Sequence, residues 1–296
     1  MAQPIPGITV AKHVIVDELR LRRFARLAAG LLRGTAAQGI GPRAAHNRAG
    51  PGLEFLDLRL YAPGDDLRHV DWRQSSRHRQ PMVRRYRDES ASDWLLGVDG
   101  SASMSLGGKW RQAAELASAL AYALIYAGHR VALAIFAERI HTYCPRGRGQ
   151  RQFGAILRQL MDYEPPERGG ESLPGLCAES VTSAGNVILF SDFLREDGMA
   201  DDLRRLRAGV SSARALQVLG KDELTVRASG PARLLDVESG DERRLALSPA
   251  TRAAADNALH EHNGRLRQVL ASLGMPFSAC RVGDDWERVL VAHLRA

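Results

Sequence analysis

Cysteine is scarce in this chain: Cys144, Cys177 and Cys280 are the only three in 296 residues, odd in number and widely separated. They form neither a disulfide framework nor a zinc-site spacing, and they point to a reducing compartment. Long apolar runs are lacking as well. The most apolar tract, 116–136, is broken by Gly128-His129-Arg130. It reads as helix, turn and strand, not as the roughly 20 unbroken apolar residues of a membrane span. Residues 1–16 show no charged leader followed by an apolar stretch, so no signal peptide is expected and the cytoplasm is the expected location. Low-complexity blocks and internal repeats are absent too.

What is present is the composition of a globular protein, with 45% apolar and 25% charged residues and a length that allows an ample core. The net charge of +7 is uneven: residues 1–90 hold 16 of the Lys and Arg against 9 of the Asp and Glu, and the remainder holds 25 of each. An acidic partner is therefore sought in the N-terminal third. Nucleic acid is the weaker candidate, because the arginines there are scattered among acids and lack interleaved aromatics. A steep loss of affinity with salt would mark such a partner.

Taken in order, Asp17 to Leu32 reads as a basic amphipathic helix, with Leu19, Leu21, Leu27, Leu31 and Leu32 set among arginines 20, 22, 23 and 26. Its expected place is against the domain, and residues 1–40 are set apart as helix and lead. Residues 34–52 read as a loop. Residues 41–90 form a β-rich block: 52–62 alternates like a strand, Pro63-Gly64-Asp65 is a turn, 70–73 resumes the strand, and 82–89 is another. Its interleaved charges have two readings, a hairpin that braces the sheet or a docking surface presenting Asp65, Asp66, Arg68, Trp72, Arg73 and Arg77. From Trp94 to the end, strand and helix alternate, which predicts an α/β domain over 91–296 with a parallel sheet covered on both faces. Within it, 173–183 reads as a helix, and Glu238-Ser239-Gly240-Asp241 marks a hairpin excursion at 224–247.

The chain is organised around Val98-Asp99-Gly100-Ser101-Ala102-Ser103-Met104. Asp99, Ser101 and Ser103 fall between a buried strand and a long helix, in the crevice where open α/β sheets bind ligands. One carboxylate and two hydroxyls are hard oxygen donors suited to Mg²⁺ or Mn²⁺. By itself the segment reads more readily as a Ser-rich turn in which Asp99 caps the helix. Asp192, at the end of the apolar run 187–190, and the loop Arg168-Gly169-Gly170-Glu171-Ser172-Leu173 belong to the same rim. Enzymatic signatures are wanting there. No G-x-x-x-x-G-K-[ST] occurs, which speaks against ATP hydrolysis, and Gly97-x-Asp99-x-Ser101 is not a G-x-S-x-G elbow. A haloacid-dehalogenase-type phosphatase would need an Asp at Ser101. His129 and His141 read as turn and surface residues, and the cysteines as small core residues.

The combination of Asp99-x-Ser101-x-Ser103, Gly169-Gly170 and Asp192 resembles the metal-ion-dependent adhesion site of von Willebrand factor A domains. Tyr61-x-Pro63-Gly64-Asp65-Asp66-x-Arg68-x-x-Asp71-Trp72-Arg73, then Met82-Val83-Arg84-x-Tyr86 and Leu234-x-Asp236-x-Glu238-x-Gly240, resemble the bacterial domain-of-unknown-function family fifty-eight over residues 40–296. That resemblance implies a Rossmann-like von Willebrand A-type parallel sheet flanked by helices, with a small β-rich N-terminal block. It also implies a Mg²⁺ or Mn²⁺ site at Asp99, Ser101, Ser103 and Asp192, completed by an acidic side chain of a partner. The implied role is an adaptor or co-chaperone for a MoxR-type AAA+ ATPase and a client protein, with a metal-free structural or interaction role as the alternative. Many relatives carry transmembrane helices, unlike this chain. Another departure is Glu171, where the adhesion site usually supplies a Thr. Its carboxylate is expected to weaken or self-ligate the site, with Ser172 as a substitute ligand.

Overall fold

The computed structural model describes residues 17–37, 49–62, 67, 70–78, 80–87, 92–180, 185–195, 197–224, 230–238, 240 and 242–296. They divide into two compact units, one made of the described residues of 17–37 and 92–296 and the other of those of 49–87. Helix α1 (Glu18–Ala37) belongs to the larger unit. Its Leu21, Phe24, Ala25, Ala28 and Leu32 recur at helical spacing and are buried in the core. Its basic face is partly neutralised within the same unit, by Arg20 to Asp285 at 2.6 Å and Arg23 to Glu287 at 2.7 Å. The N-terminal helix is thus a wall of the α/β unit.

The smaller unit contains β1 (Ala49–Leu60), α2 (Trp72–His78) and β2 (Met82–Arg87). The two strands pair antiparallel, Leu60 opposite Met82. The strand expected to resume over 70–73 does not. Only Val70 bridges to Val83, and the chain then enters α2. The cause is Asp71, whose Oδ1 accepts the amides of Arg73 and Gln74, both at 3.0 Å, as a helix cap does. Its Oδ2 accepts Arg84 Nε at 2.8 Å, and the Arg84 bond holds the Asp71 carboxyl below its ordinary pKa. Trp72 is 69% exposed and Arg73 is exposed beside it. Asp65, Asp66 and Arg68, the other docking candidates, lie outside the described residues.

The larger unit continues with β3 (Asp93–Asp99), α3 (Lys109–Tyr126), β4 (Arg130–Phe136), β5 (Ile140–Gly147), α4 (Gly149–Asp162), β6 (Asn186–Ser191), α5 (Met199–Gly209) and β7 (Ser212–Leu219). A short α6 (Lys221–Leu224), the hairpin β8 (Gly230–Leu235) and β9 (Glu242–Leu247), α7 (Pro249–Ser272), β10 (Phe277–Arg281) and α8 (Trp286–Arg295) complete it. Six strands form one sheet in the order β10-β7-β6-β3-β4-β5, all parallel except the edge strand β5. This is a mixed α/β architecture with a central, mostly parallel sheet. The β8–β9 pair stands apart as a sheet of its own.

Alternation along each inner strand sends side chains to opposite faces. Leu96, Val98, Leu133, Ile135, Ile188 and Phe190 enter one core with α1, α3, α4 and α8. Leu95, Ala134, Phe136, Val187 and Leu189 enter the other with α5 and α7. Both faces are covered, which is why the strand sequences are almost wholly apolar. All three cysteines are free and buried. The helix expected over 173–183 is a single 3-10 segment, Pro174–Ser180. There Gly175 lies so near α5 that a Cβ would stand 3.0 Å from Asp202 Oδ1. Among the described residues no helix is long and apolar enough to cross a membrane.

The strand order fixes where a site can form. From β3 the chain passes to β4 on one side, whereas β6 and β7 are added on the other. The carboxyl ends of β3 and β6 therefore flank a topological switch point, where adjoining loops part and leave a crevice.

Candidate functional site

Asp99 is the last residue of β3 and Ser191 the last of β6. Parallel pairing of Val98 with Phe190 puts the two strand ends side by side. Asp99 is fully buried, and its carboxylate is bonded from three parts of the chain. Its Oδ1 accepts the Ser101 amide at 2.9 Å, and its Oδ2 accepts the Ser172 hydroxyl at 2.6 Å and the Ser191 hydroxyl at 2.5 Å. Ser101 Oγ lies 3.1 Å from Ser103 Oγ. The loop carrying Ser172 is tied to the β3 loop through Ala102 N to Gly169 O at 3.2 Å. Gly170, at φ 78°, holds a left-handed backbone conformation that favours glycine.

Asp192 follows directly on β6, 2% exposed. Its Oδ2 accepts Lys109 Nζ at 2.7 Å, and the same ammonium, wholly buried, also bonds Glu223. Burial would lower the Lys109 pKa, but the two carboxylates outweigh it and hold it above its ordinary value. Among the described residues no such cation bonds Asp99. Burial first, then the charge of Asp192, pushes its pKa up, while the Ser172, Ser191 and Ser101 bonds pull the other way.

A fourth segment reaches this rim. Glu238, at the β8–β9 tip, is half-buried, with the Ser101 and Ser103 hydroxyls favouring its charged form. Burial, then Asp192 and Asp99, raise its pKa to about 7. The tip is fixed by Gly169 N donating to Val237 O at 2.7 Å and by Glu238 N donating to Asp236 Oδ1 at 2.9 Å.

The geometry brings together Asp99, Ser101, Ser103, Ser172 and Asp192. The self-ligation expected of Glu171 is not what is found. Its carboxylate, on a side chain 56% exposed, lies 3.2 Å from Arg195 Nη1. The reason is the buried Arg195 guanidinium, which also bonds Asp202 and donates to Ser172 O at 2.7 Å. It draws Glu171 outward while holding Ser172 inward. Sequence reasoning missed Ser191, Lys109, Glu223 and the role of Glu238. For Glu238 a signal existed, the Asp236-x-Glu238-x-Gly240 motif, which in sequence reads only as a turn.

Among the described residues no group of three or more His, Cys, Asp and Glu side chains could hold a metal ion. A set built on hydroxyls is a different donor chemistry, and it fits a hard divalent cation in two respects. The 3.1 Å between Ser101 and Ser103 oxygens suits a hydrogen bond, and also neighbouring ligands in an octahedral shell of about 2.1 Å radius. Moreover, the buried Asp99 and Asp192 and the partly buried Glu223 and Glu238 share the one ammonium of Lys109, and the unbalanced negative charge favours protons or a cation among them.

The family model described as "Protein of unknown function DUF58" matches residues 57–265. The chain belongs to that family. Uncharacterized protein Rv1480 of Mycobacterium tuberculosis and Uncharacterized protein Mb1516 of Mycobacterium bovis are each 30% identical to this DUF58 chain over 248 residues, 80% of it and 77% of the relative. Among solved structures, the conserved hypothetical protein BatB from Bacteroides thetaiotaomicron superposes with a TM-score of 0.44 at 14% identity, over 69% of this chain and 97% of that one. An aerotolerance-related membrane protein from Bacteroides fragilis gives a TM-score of 0.41, also at 14% identity, over 69% and 98% of the two chains.

Proposed function

We propose that this DUF58 protein is a non-enzymatic, cytoplasmic interaction module with a von Willebrand A-like domain. Its rim takes Mg²⁺ or Mn²⁺ through Ser101 and Ser103, with Asp99 and Asp192 as direct or water-mediated ligands. A MoxR-type AAA+ ATPase is the proposed partner, acting on a client protein. The observation that carries the reading is the convergence on Asp99 Oδ2 of two hydroxyls from separate parts of the chain, Ser172 in the loop after α4 and Ser191 at the end of β6, beside the Ser101–Ser103 pair. Hard oxygen donors at a switch-point crevice suit a cation that keeps open positions for an outside ligand.

The test is Mn²⁺ titration calorimetry, joined to capture of the MoxR-type ATPase with and without EDTA. Wild type should bind Mn²⁺ and capture the ATPase only without chelator, and Asp99→Ala should lose both. Capture that survives EDTA and the substitution would sink the metal-assisted reading. It would favour a metal-free interaction module instead, which one feature supports: Lys109 already neutralises Asp192 from within the chain.

A further inference from the structure

Among the described residues the β8–β9 hairpin pairs with no other strand, and isolated two-stranded hairpins are marginal in water. Its tip is nonetheless held to the rim. Gly169 N bonds Val237 O at 2.7 Å, and the Gly169 carbonyl in turn accepts Ala102 N at 3.2 Å. Asp236 shapes the turn, accepting Glu238 N on its side chain at 2.9 Å and Gly240 N on its carbonyl at 2.9 Å. A glutamate at such a tip would ordinarily face water. Here it is half-buried, next to the Val237 carbonyl that Gly169 holds, and close enough to Ser101, Ser103, Asp99 and Asp192 to feel their hydroxyls and charges. Carrying a third carboxylate toward two buried ones costs free energy unless something positive or proton-donating sits among them. The two serine hydroxyls repay part of that cost.

We propose that Glu238 is a tethered ligand of the rim, filling from within the chain the place that a partner's acidic side chain would take, so that a partner must displace the β8–β9 tip to bind. This rests on the reading that the rim holds a divalent cation. The carboxylate that Glu171 does not provide is then supplied by a separate element, one that is held at its tip and can withdraw as a unit. Withdrawal would break the Gly169–Val237 bond and leave the six-stranded sheet unchanged.

The experiment uses Mn²⁺ alone as the probe on the full chain, read by water-proton relaxation, with acetate as a free carboxylate. Wild type, Glu238→Ala and the near-isosteric Glu238→Gln are compared, with Asp99→Asn as the control for location. Wild type should bind Mn²⁺ with a relaxation enhancement that millimolar acetate leaves unchanged. The Glu238 variants should bind it about 10-fold more weakly. Their enhancement should be larger, from an added exchangeable water, and acetate should suppress it. Equal enhancement and equal acetate response in all three would overturn the tethered ligand and leave the cation site standing. So would Mn²⁺ binding seen only in the variants, since Glu238 would then be a blocker. Absence of Mn²⁺ binding throughout, or its persistence in Asp99→Asn, would bring down the cation reading and this inference with it.

Discussion

Lys109 Nζ donates to Asp192 Oδ2 across 2.7 Å, with 0% and 2% of the two side chains exposed. The pair joins the first residue of α3 to the loop after β6, so it fixes the register of one wall of the rim against the other. Removing the cation would strand Asp192 as a buried anion, with the partly exposed Glu223 beside it, without a counter-charge. Lys109→Met should therefore cost about 3–5 kcal/mol, read as a fall in the urea midpoint at unchanged slope. Lys109→Met combined with Asp192→Asn should recover part of the loss. Equal stability of Lys109→Met and wild type would mean that the pair is not closed in solution.

Close approach of the 3-10 segment to β3 depends on Gly97. A Cβ there would stand 2.8 Å from Leu189 Cδ2 and 2.9 Å from Cys177 Sγ, both buried. Gly97→Ala should destabilise by about 1–3 kcal/mol, the usual penalty of overpacking. Pairing it with Cys177→Ala should return at least half, because the sulfur has then withdrawn. If the double variant is no better than the single one, the strain lies on the Leu189 side.

The sheet was legible because both-face burial writes itself into apolar runs such as 94–98 and 187–190, and the rim followed because each run ends on a polar residue. Ser101 and Ser172 bond Asp99, Ser103 lies beside Ser101, and Asp192 follows the Ser191 that also bonds Asp99. Glu171 could not be placed from its neighbours in sequence, since its orientation is set by Arg195. Lys109 and Glu223 are 114 residues apart and carry no local pattern that announces their pairing. Residues 70–73 alternate as a strand does, yet one Asp71 cap turns them into α2. Such caps and long-range ion pairs are tertiary facts, and periodicity does not encode them.

Because Glu171 is exposed and turned to Arg195, replacing it should matter little. Glu171→Thr should change stability by less than about 1 kcal/mol, as for an exposed ion pair, and leave Mn²⁺ affinity within about two-fold by calorimetry. Tighter binding by an order of magnitude would return Glu171 to the site as a competing carboxylate. The contrast with Glu238→Gln separates the two glutamates, since only the second should alter the metal's water count.

Stability at mildly acid pH should be governed in part by His293, far along α8 from the rim. The imidazole is fully buried, its Nδ1 lies 2.7 Å from Ser278 Oγ, and its Nε2 has no partner among the described residues. Burial first, then the nearby Arg214 guanidinium, lowers its pKa to about 3. The unfolded chain, with an ordinary value near 6.5, binds this proton while the native state does not. Stability is therefore full above about pH 6.5 and falls as the pH drops toward 3, by up to about 1.4 kcal/mol per unit from this group. His293→Gln keeps a hydrogen-bonding side chain and removes the titration. Urea midpoints between pH 7.5 and 4.5 should decline less steeply in the variant than in wild type, with most of the divergence below pH 6. Parallel declines would show that the imidazole takes up its proton in the folded protein, and that the Ser278–Arg214 surroundings open to admit it.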